Sequence, residues 1–328
     1  MPGVDPAEAV RLVLGELPDL PHLPELPDRG AGADMVGRTT ALLVDLAVDL
    51  QPSGWRLVAR PGVDGRRASD FLAHDLDALA DHAGDYDGPL KLQATGPWTL
   101  VASLETTRGG RALADRGAVR DLASSLAEGL AWHVADVRRR VPGAEVVVQL
   151  DEPSLPAVLA GGIPSASGYG RLAAVPGPDA TEVLQSVVSR VGVPVAVHSC
   201  APSVPVGLSV AAGAQAVSLD ASLLTTAQDE SLGEAVEAGV ALWLGVVPTH
   251  EHEMSDLAAT VAPVRGLWRR LGFDPGSLAS CVVLTPVCGL AGASPAYARG
   301  ALARVREAGL VLAEDPEGDV TDGPRGRG

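Results

Sequence analysis

The feature that most constrains the fold is a repeated one: short, β-branched apolar runs, each followed by a stretch with helical periodicity. The clearest run is Val193-Pro-Val-Ala-Val-His-Ser-Cys200, bounded by Gly192 and by Ala201-Pro202. An apolar run of this length between turn residues reads as a strand buried on both faces. Side chains alternate along a strand, so His198 and Cys200 fall on one side, at its C-terminal end. Comparable runs occupy residues 55–60, 91–95, 145–150, 216–219, 241–247 and 281–285. Helical patterns cover 7–17, 33–50, 69–82 (with Ser69 as N-cap), 115–141, 180–191, 230–238, 254–271 and 294–308. About seven strands alternating with helices predict parallel strands joined by right-handed crossovers.

Residues able to do chemistry sit just past the strand ends: Asp151, His198, Cys200, Asp220, His250 and Cys288. In a closed α/β barrel of the TIM (β/α)8 type all those ends share one rim, where such enzymes carry their sites. An open doubly wound sheet is the alternative. It would separate residues from the middle and last strands, and the Gly-rich phosphate turn expected near its first strand is missing. The barrel accounts for more. It is expected to span residues 1–314 as a single domain, followed by a disordered polar tail, 315–328. The Pro-rich stretch 18–27 is unsuited to a helix or a central strand, because each proline removes a backbone donor. It reads as an ordered loop across one barrel mouth, or as a flexible tail.

Composition narrows the partners. A chain of 328 residues with 46% hydrophobic content can bury a large core. A net charge of −16, with Arg138-Arg139-Arg140 as the only basic cluster, argues against nucleic acid or an anionic membrane as partner. That triplet suits a helix C-terminus. With no long apolar run and no basic-then-apolar start, the expected location is cytoplasmic. Three cysteines (Cys200, Cys281 and Cys288) in a reducing compartment favour ligands or buried thiols over disulfides.

His198, Cys200, Asp220 and Cys288 offer nitrogen, sulfur, oxygen and sulfur, a donor set suited to zinc. Structural zinc sites staple small folds with close ligand pairs; here the ligands come from three strand ends of a large domain. That pattern points to a catalytic ion that binds a ligand. Zinc keeps an exogenous thiol deprotonated near neutral pH, and the thiolate is the nucleophile, so the chemistry expected is alkyl transfer to sulfur. Plainer readings stand beside this one. His198 and Cys200 also fit a core histidine and a buried thiol. Asp151-Glu152-Pro153 fits a helix N-cap, and His250, near His252, fits an exposed loop.

At these positions the chain resembles the zinc-binding catalytic barrel of cobalamin-independent methionine synthase. The resemblance rests on His198-Ser-Cys200, Ala216-Val-Ser-Leu-Asp220 and Thr285-Pro-Val-Cys-Gly-Leu290. Leu150-Asp-Glu-Pro-Ser-Leu155, Thr95-Gly-Pro-Trp-Thr99 and Gly245-Val-Val-Pro-Thr-His250 extend it in the same order, at strand ends. It implies a β/α barrel that transfers a methyl group to the sulfur of homocysteine. By the same resemblance His198, Cys200 and Cys288 ligate Zn2+, and Asp151 binds the substrate amino group, with Glu152 helping to position it. His250 handles the proton as the methyl leaves its carrier. Cys281 opens its strand at the far end and is expected to be a buried thiol.

Departures accompany the likeness. Asp220 stands where the family has glutamate, and it is retained as a fourth ligand with a shorter arm. Pro248 replaces an acidic residue two before the histidine. The family's opening strand, with its Gly-Ser substrate loop, has no counterpart, so a gap is predicted between the Trp55 strand and the Cys281 strand. The family's second barrel is likewise without a counterpart, as in single-barrel relatives, whose methyl donor is methyltetrahydrofolate or a corrinoid protein. Two other readings remain: a uroporphyrinogen-decarboxylase-like barrel acting on another thiol, and a degenerate zinc- or thiol-binding barrel without turnover.

Overall fold

From Lys91 onward each apolar run becomes one strand of a single parallel sheet in the computed structural model, which describes residues 1–251 and 253–318. The chain opens with α1 (Pro6–Glu16), α2 (Met35–Thr40), β1 (Ala47–Gln51), β2 (Gly54–Val58) and α3 (Val63–Ala83). Next come β3 (Gly88–Thr95), α4 (Pro97–Ser103), α5 (Arg116–Arg140), β4 (Ala144–Asp151), α6 (Leu155–Leu159), α7 (Gly177–Val191) and β5 (Val195–Ser199). It continues through α8 (Val206–Ala211), β6 (Ala216–Asp220), α9 (Asp229–Glu237) and β7 (Ala241–Val247). Last are α10 (Leu257–Leu271), α11 (Leu278–Cys281), β8 (Val282–Pro286) and α12 (Pro295–Glu314).

Strands β3 to β8 lie side by side in sequence order, every neighbouring pair parallel. Each crossover therefore steps one strand further in the same direction, as in a barrel wall. Residues from all six strands line one cavity, so the sheet is curled around it. Its floor is packed by Trp243 with Ala196 and Ala216. Among the described residues the wall has six strands rather than eight. Outside it, helices bury Leu and Val in two clusters, one on the α3–α7 half and one joining α1, α10 and α12 to β6–β8.

Helices at 7–17 and 69–82 form as expected, but the chain between them departs from the sequence expectations. The 55–60 run does form a strand, but β2 pairs antiparallel with β1 in a hairpin and lies outside the parallel sheet. Pro52-Ser53 and Gly54, at φ 124°, make a tight reversal that only local pairing can follow. The predicted helix 33–50 stops at Thr40, and its second half is β1, with Asp45 at φ 59° breaking the helical path. Helix α3 begins at Val63, six residues before the expected cap. Asp49 of β1 accepts from Asp64 N at 3.0 Å and Gly65 N at 3.2 Å, an N-cap supplied from another element. Ser69 is mid-helix, its hydroxyl donating to Gly65 O at 3.2 Å.

The Pro-rich stretch is ordered rather than free, and its Asp19, Leu20 and His22 line the cavity enclosed by the sheet. It lies along the edge of β3 with one parallel bridge, His22 to Lys91, and buries Leu23 and Leu26 completely. Arg29 and Arg38 both grip the buried Asp75 of α3, Arg29 through a fork at 2.8 and 2.9 Å, which ties this segment to the helical layer. Cys281 ends α11 just before β8 and is half-buried. Of the tail, Asp315 follows α12 and meets Arg265, while residues 319–328 lie outside the described residues. No helix of the described residues is long and apolar enough to cross a membrane.

Candidate active site

Parallel pairing brings the predicted residues together at one rim. Asp151 ends β4 and is in register with His198 of β5, which is in register with Ser218 of β6. Asp220 is the register partner of Gly245 on β7, and Gly245 of Thr285 on β8. Alternation then points Gln149, Asp151, His198 and Ser218 inward, where all four line the 680 Å³ cavity.

The rim's centre is a group of three. Ligand atoms of His198, Cys200 and Cys288 lie within 4.8 Å of one another, and the two sulfurs are 3.6 Å apart. Two thiolates on a tetrahedral zinc, each about 2.3 Å from the ion, stand about 3.8 Å apart, so the spacing fits that ion. His198 Nδ1 is 2.9 Å from Ser218 Oγ, a contact that orients the ring and leaves Nε2 as the atom a metal could take. Such an outer partner is a regular accompaniment of metal-binding histidine. The donor chemistry and the spacing both fit zinc.

Cys288 reaches the group because Gly245 makes room. A Cβ at Gly245 would meet Val287 Cα at 2.6 Å and Leu219 O at 3.2 Å, so the exit of β8 crosses directly over this glycine. The two thiols titrate as a pair. Their mutual hydrogen bond lowers Cys200 to about 7 against its burial, and Cys288 is pushed up to about 12. Burial works against a charged His198, but the hydrogen bond with Cys288 and the charge of Asp151 outweigh it and raise its pKa.

The remaining expected residues stand differently. Asp220 Oδ1 accepts from Ser222 N at 2.8 Å and Ser222 Oγ at 2.6 Å, capping the short turn after β6. Its charge still reaches Cys200. Glu152 is fully buried and both its oxygens are engaged: Oε1 by Trp98 N at 2.8 Å, and Oε2 by Thr99 N at 2.7 Å and Thr99 Oγ1 at 2.8 Å. It caps α4, joining β4's end to the Thr95-Gly-Pro-Trp turn, and is not among the residues lining the cavity. Gly96 is needed there, since a Cβ would lie 2.5 Å from Glu152 Oε1. Burial raises the Glu152 carboxyl to about 7, opposed by those three donors. His250 is exposed on the loop after β7, outside the cavity lining.

Lys91, Gln149, Ser218 and His22 also line the cavity and were not anticipated as site residues. Period-two counting back from Asp151 and Asp220 reaches Gln149 and Ser218 directly. A single lysine in an apolar strand was a signal of the same kind. His22 had none, because a Pro-rich loop predicts no partner.

Comparison with known proteins agrees with this geometry. The sequence profile of the cobalamin-independent synthase catalytic domain matches residues 22–310. No curated protein matches the chain by sequence. Among solved structures, a B12-independent methionine synthase from Shewanella sp. W3-18-1, in complex with selenomethionine, superposes with a TM-score of 0.60. The two are 13% identical, over 94% of this chain and 88% of that one, a likeness of fold. The profile covers most of the chain and spans every strand of the curled sheet; the chain therefore belongs to the cobalamin-independent synthase family, as its catalytic domain, a methyltransferase of methionine synthesis.

Proposed function

We propose that this protein methylates the thiol of homocysteine to give methionine. The observation that carries the reading is the convergence of His198, Cys200 and Cys288 at the rim of a cavity that also holds Asp151. His198, Cys200 and Cys288 would hold a zinc ion, which when bound would supply the positive charge that keeps a substrate thiol deprotonated. Asp151 accepts from the substrate's α-ammonium, turning the amino acid so that its sulfur faces the two cysteines. Sulfur then attacks the methyl carbon, the bond from that carbon to the donor's nitrogen breaks, and the nitrogen takes up a proton. His250, on the loop beyond β7, is the residue proposed to deliver that proton. Asp220 is proposed as a fourth ligand, exchanging its cap on Ser222 for the ion. A family independent of cobalamin favours a folate-type donor over a corrinoid carrier.

Purified protein should carry about one zinc per chain. Cys288→Ala should lose most of it and Cys281→Ala should keep it, because removing one thiolate from such a site weakens binding severely. Zinc-loaded protein should form methionine from homocysteine and methyltetrahydrofolate. Full zinc in Cys288→Ala, or no methionine with either a folate or a methylated corrinoid donor, would sink the proposal.

A further inference from the structure

One cation in the cavity has no part in the scheme above. Lys91 is the only lysine of the chain, and it stands on β3 inside the curled sheet rather than on the surface. Its backbone is held from both sides. It is in register with Val147 of β4; on the other edge its N–H donates to Pro21 O at 2.8 Å and its carbonyl accepts from Leu23 N at 3.0 Å. The side chain therefore rises from a fixed point. Its Nζ donates to Gln149 Oε1 at 3.1 Å, and Gln149 Nε2 donates to Asp151 Oδ1 at 2.7 Å. Lysine, glutamine and aspartate form one line that ends beside His198.

An ammonium withdrawn from most of its water, as Lys91 is in this half-buried position, is costly unless an opposite charge compensates it. Here Asp151 and Glu25 do so, against the burial that lowers the Lys91 pKa. Glu25 is itself shared with Arg38, whose Nε lies 3.6 Å away, and burial raises its carboxyl. Asp151 is thus the main counter-charge. A substrate ammonium that docks on Asp151 takes that counter-charge from Lys91. An α-amino acid restores it at once, since its carboxylate is attached one carbon from its ammonium. Gln149 sets Lys91 and Asp151 one hydrogen-bonded amide apart, room for such a pair to meet both. Of the three Nζ protons, the bond to Gln149 uses one.

We infer that Lys91 receives the α-carboxylate of the substrate, so that Lys91 and Asp151 together select zwitterionic amino-acid thiols over plain aminothiols. This rests on the homocysteine reading and adds to it a specificity-determining residue that makes no contact with the reacting sulfur.

Titration calorimetry on the zinc-loaded protein tests it with L-homocysteine and its decarboxylated analogue, 3-aminopropane-1-thiol. The native protein should bind homocysteine about 10- to 100-fold more tightly, the span of one charged hydrogen-bonded contact. Lys91→Met should remove that preference by weakening homocysteine, while the analogue binds as well as before or more tightly, because its ammonium no longer strips Lys91 of its counter-charge. Lys91→Arg should recover part of it. KM should follow the same pattern, with kcat changed less. Lys91→Gln, which keeps a donor toward Gln149, carries the same expectation if the Met variant does not fold. Equal affinity of the native protein for the two thiols overturns the inference without any variant, as does a Lys91→Met loss shared equally by both. Binding of homocysteine without turnover would count against the proposed reaction alone, and failure to bind either thiol would overturn both.

Discussion

At the scale of single residues, the site turns on which polar atoms are already engaged. Asp220 is occupied by Ser222, yet close enough to influence Cys200. If it ligates zinc, Asp220→Glu should bind zinc as well as or better than the native protein, because the longer arm reaches further. Asp220→Asn should then weaken zinc about tenfold or more, having lost a charge beside the cation. If it is only a cap, Asn serves almost as well and Glu is the poorer substitute. Zinc titration of the two variants orders them oppositely under the two roles. His133 on α5 offers a second residue-scale expectation. Burial holds its pKa down at about 3, from the usual 6.5. The unfolded chain takes up a proton that the folded chain refuses, so the stability present above pH 6.5 is lost as pH falls toward 3. Between about pH 7.5 and 4.5, the native protein should lose about 2–3 kcal/mol relative to His133→Leu. Urea denaturation at the two pH values measures the difference; a constant gap would contradict it.

At the scale of elements, two glycines let strand exits cross. Gly96 admits the Glu152 carboxylate to the N-terminus of α4, and Gly245 admits the backbone next to Cys288. Gly245→Ala should therefore displace the Cys288 loop without unfolding the sheet. Overpacking of this kind costs about 1–3 kcal/mol, and here it should appear as zinc affinity lowered by roughly 5- to 100-fold. Circular dichroism should be unchanged, and native zinc affinity in the variant would show that the loop can yield. Element boundaries follow the same principle. Helix α5 starts and stops where its own sequence directs, with Asp115 accepting from Gly117 N and Ala118 N and three arginines in its last turn. Helix α3 starts early because Asp49, fourteen residues upstream of its first residue, Val63, provides the cap.

At the scale of the whole molecule, the N-terminal ninety residues serve as a flank to the curled sheet. Residues 21–23 run along β3, and the paired arginines on Asp75 lock the following turn to α3. Leu23 is fully buried between the sheet and this layer. Leu23→Ala should cost about 2–5 kcal/mol, as a core cavity does, whereas a loose proline-rich tail would cost nothing. Thermal melting of the variant settles which description holds.

What the sequence by itself determined is the part carried by local pattern. Buried parallel strands need continuous apolar runs, so β3 to β8 and their order could be read directly, and polar residues closing those runs had to gather at one rim. His198, Cys200, Cys288 and Asp151 were legible for that reason. Tertiary structure alone decided the rest. The run at 55–60 has strand composition, but its partner was set by a turn and not by hydrophobicity. The Pro-rich segment's place, the cap from Asp49 and the spending of Glu152 on α4 all depend on contacts between distant residues. Lys91 shows the limit most clearly. A lone lysine in a strand announces that something unusual is buried, but only the curling of the sheet brings its ammonium to Gln149 and Asp151.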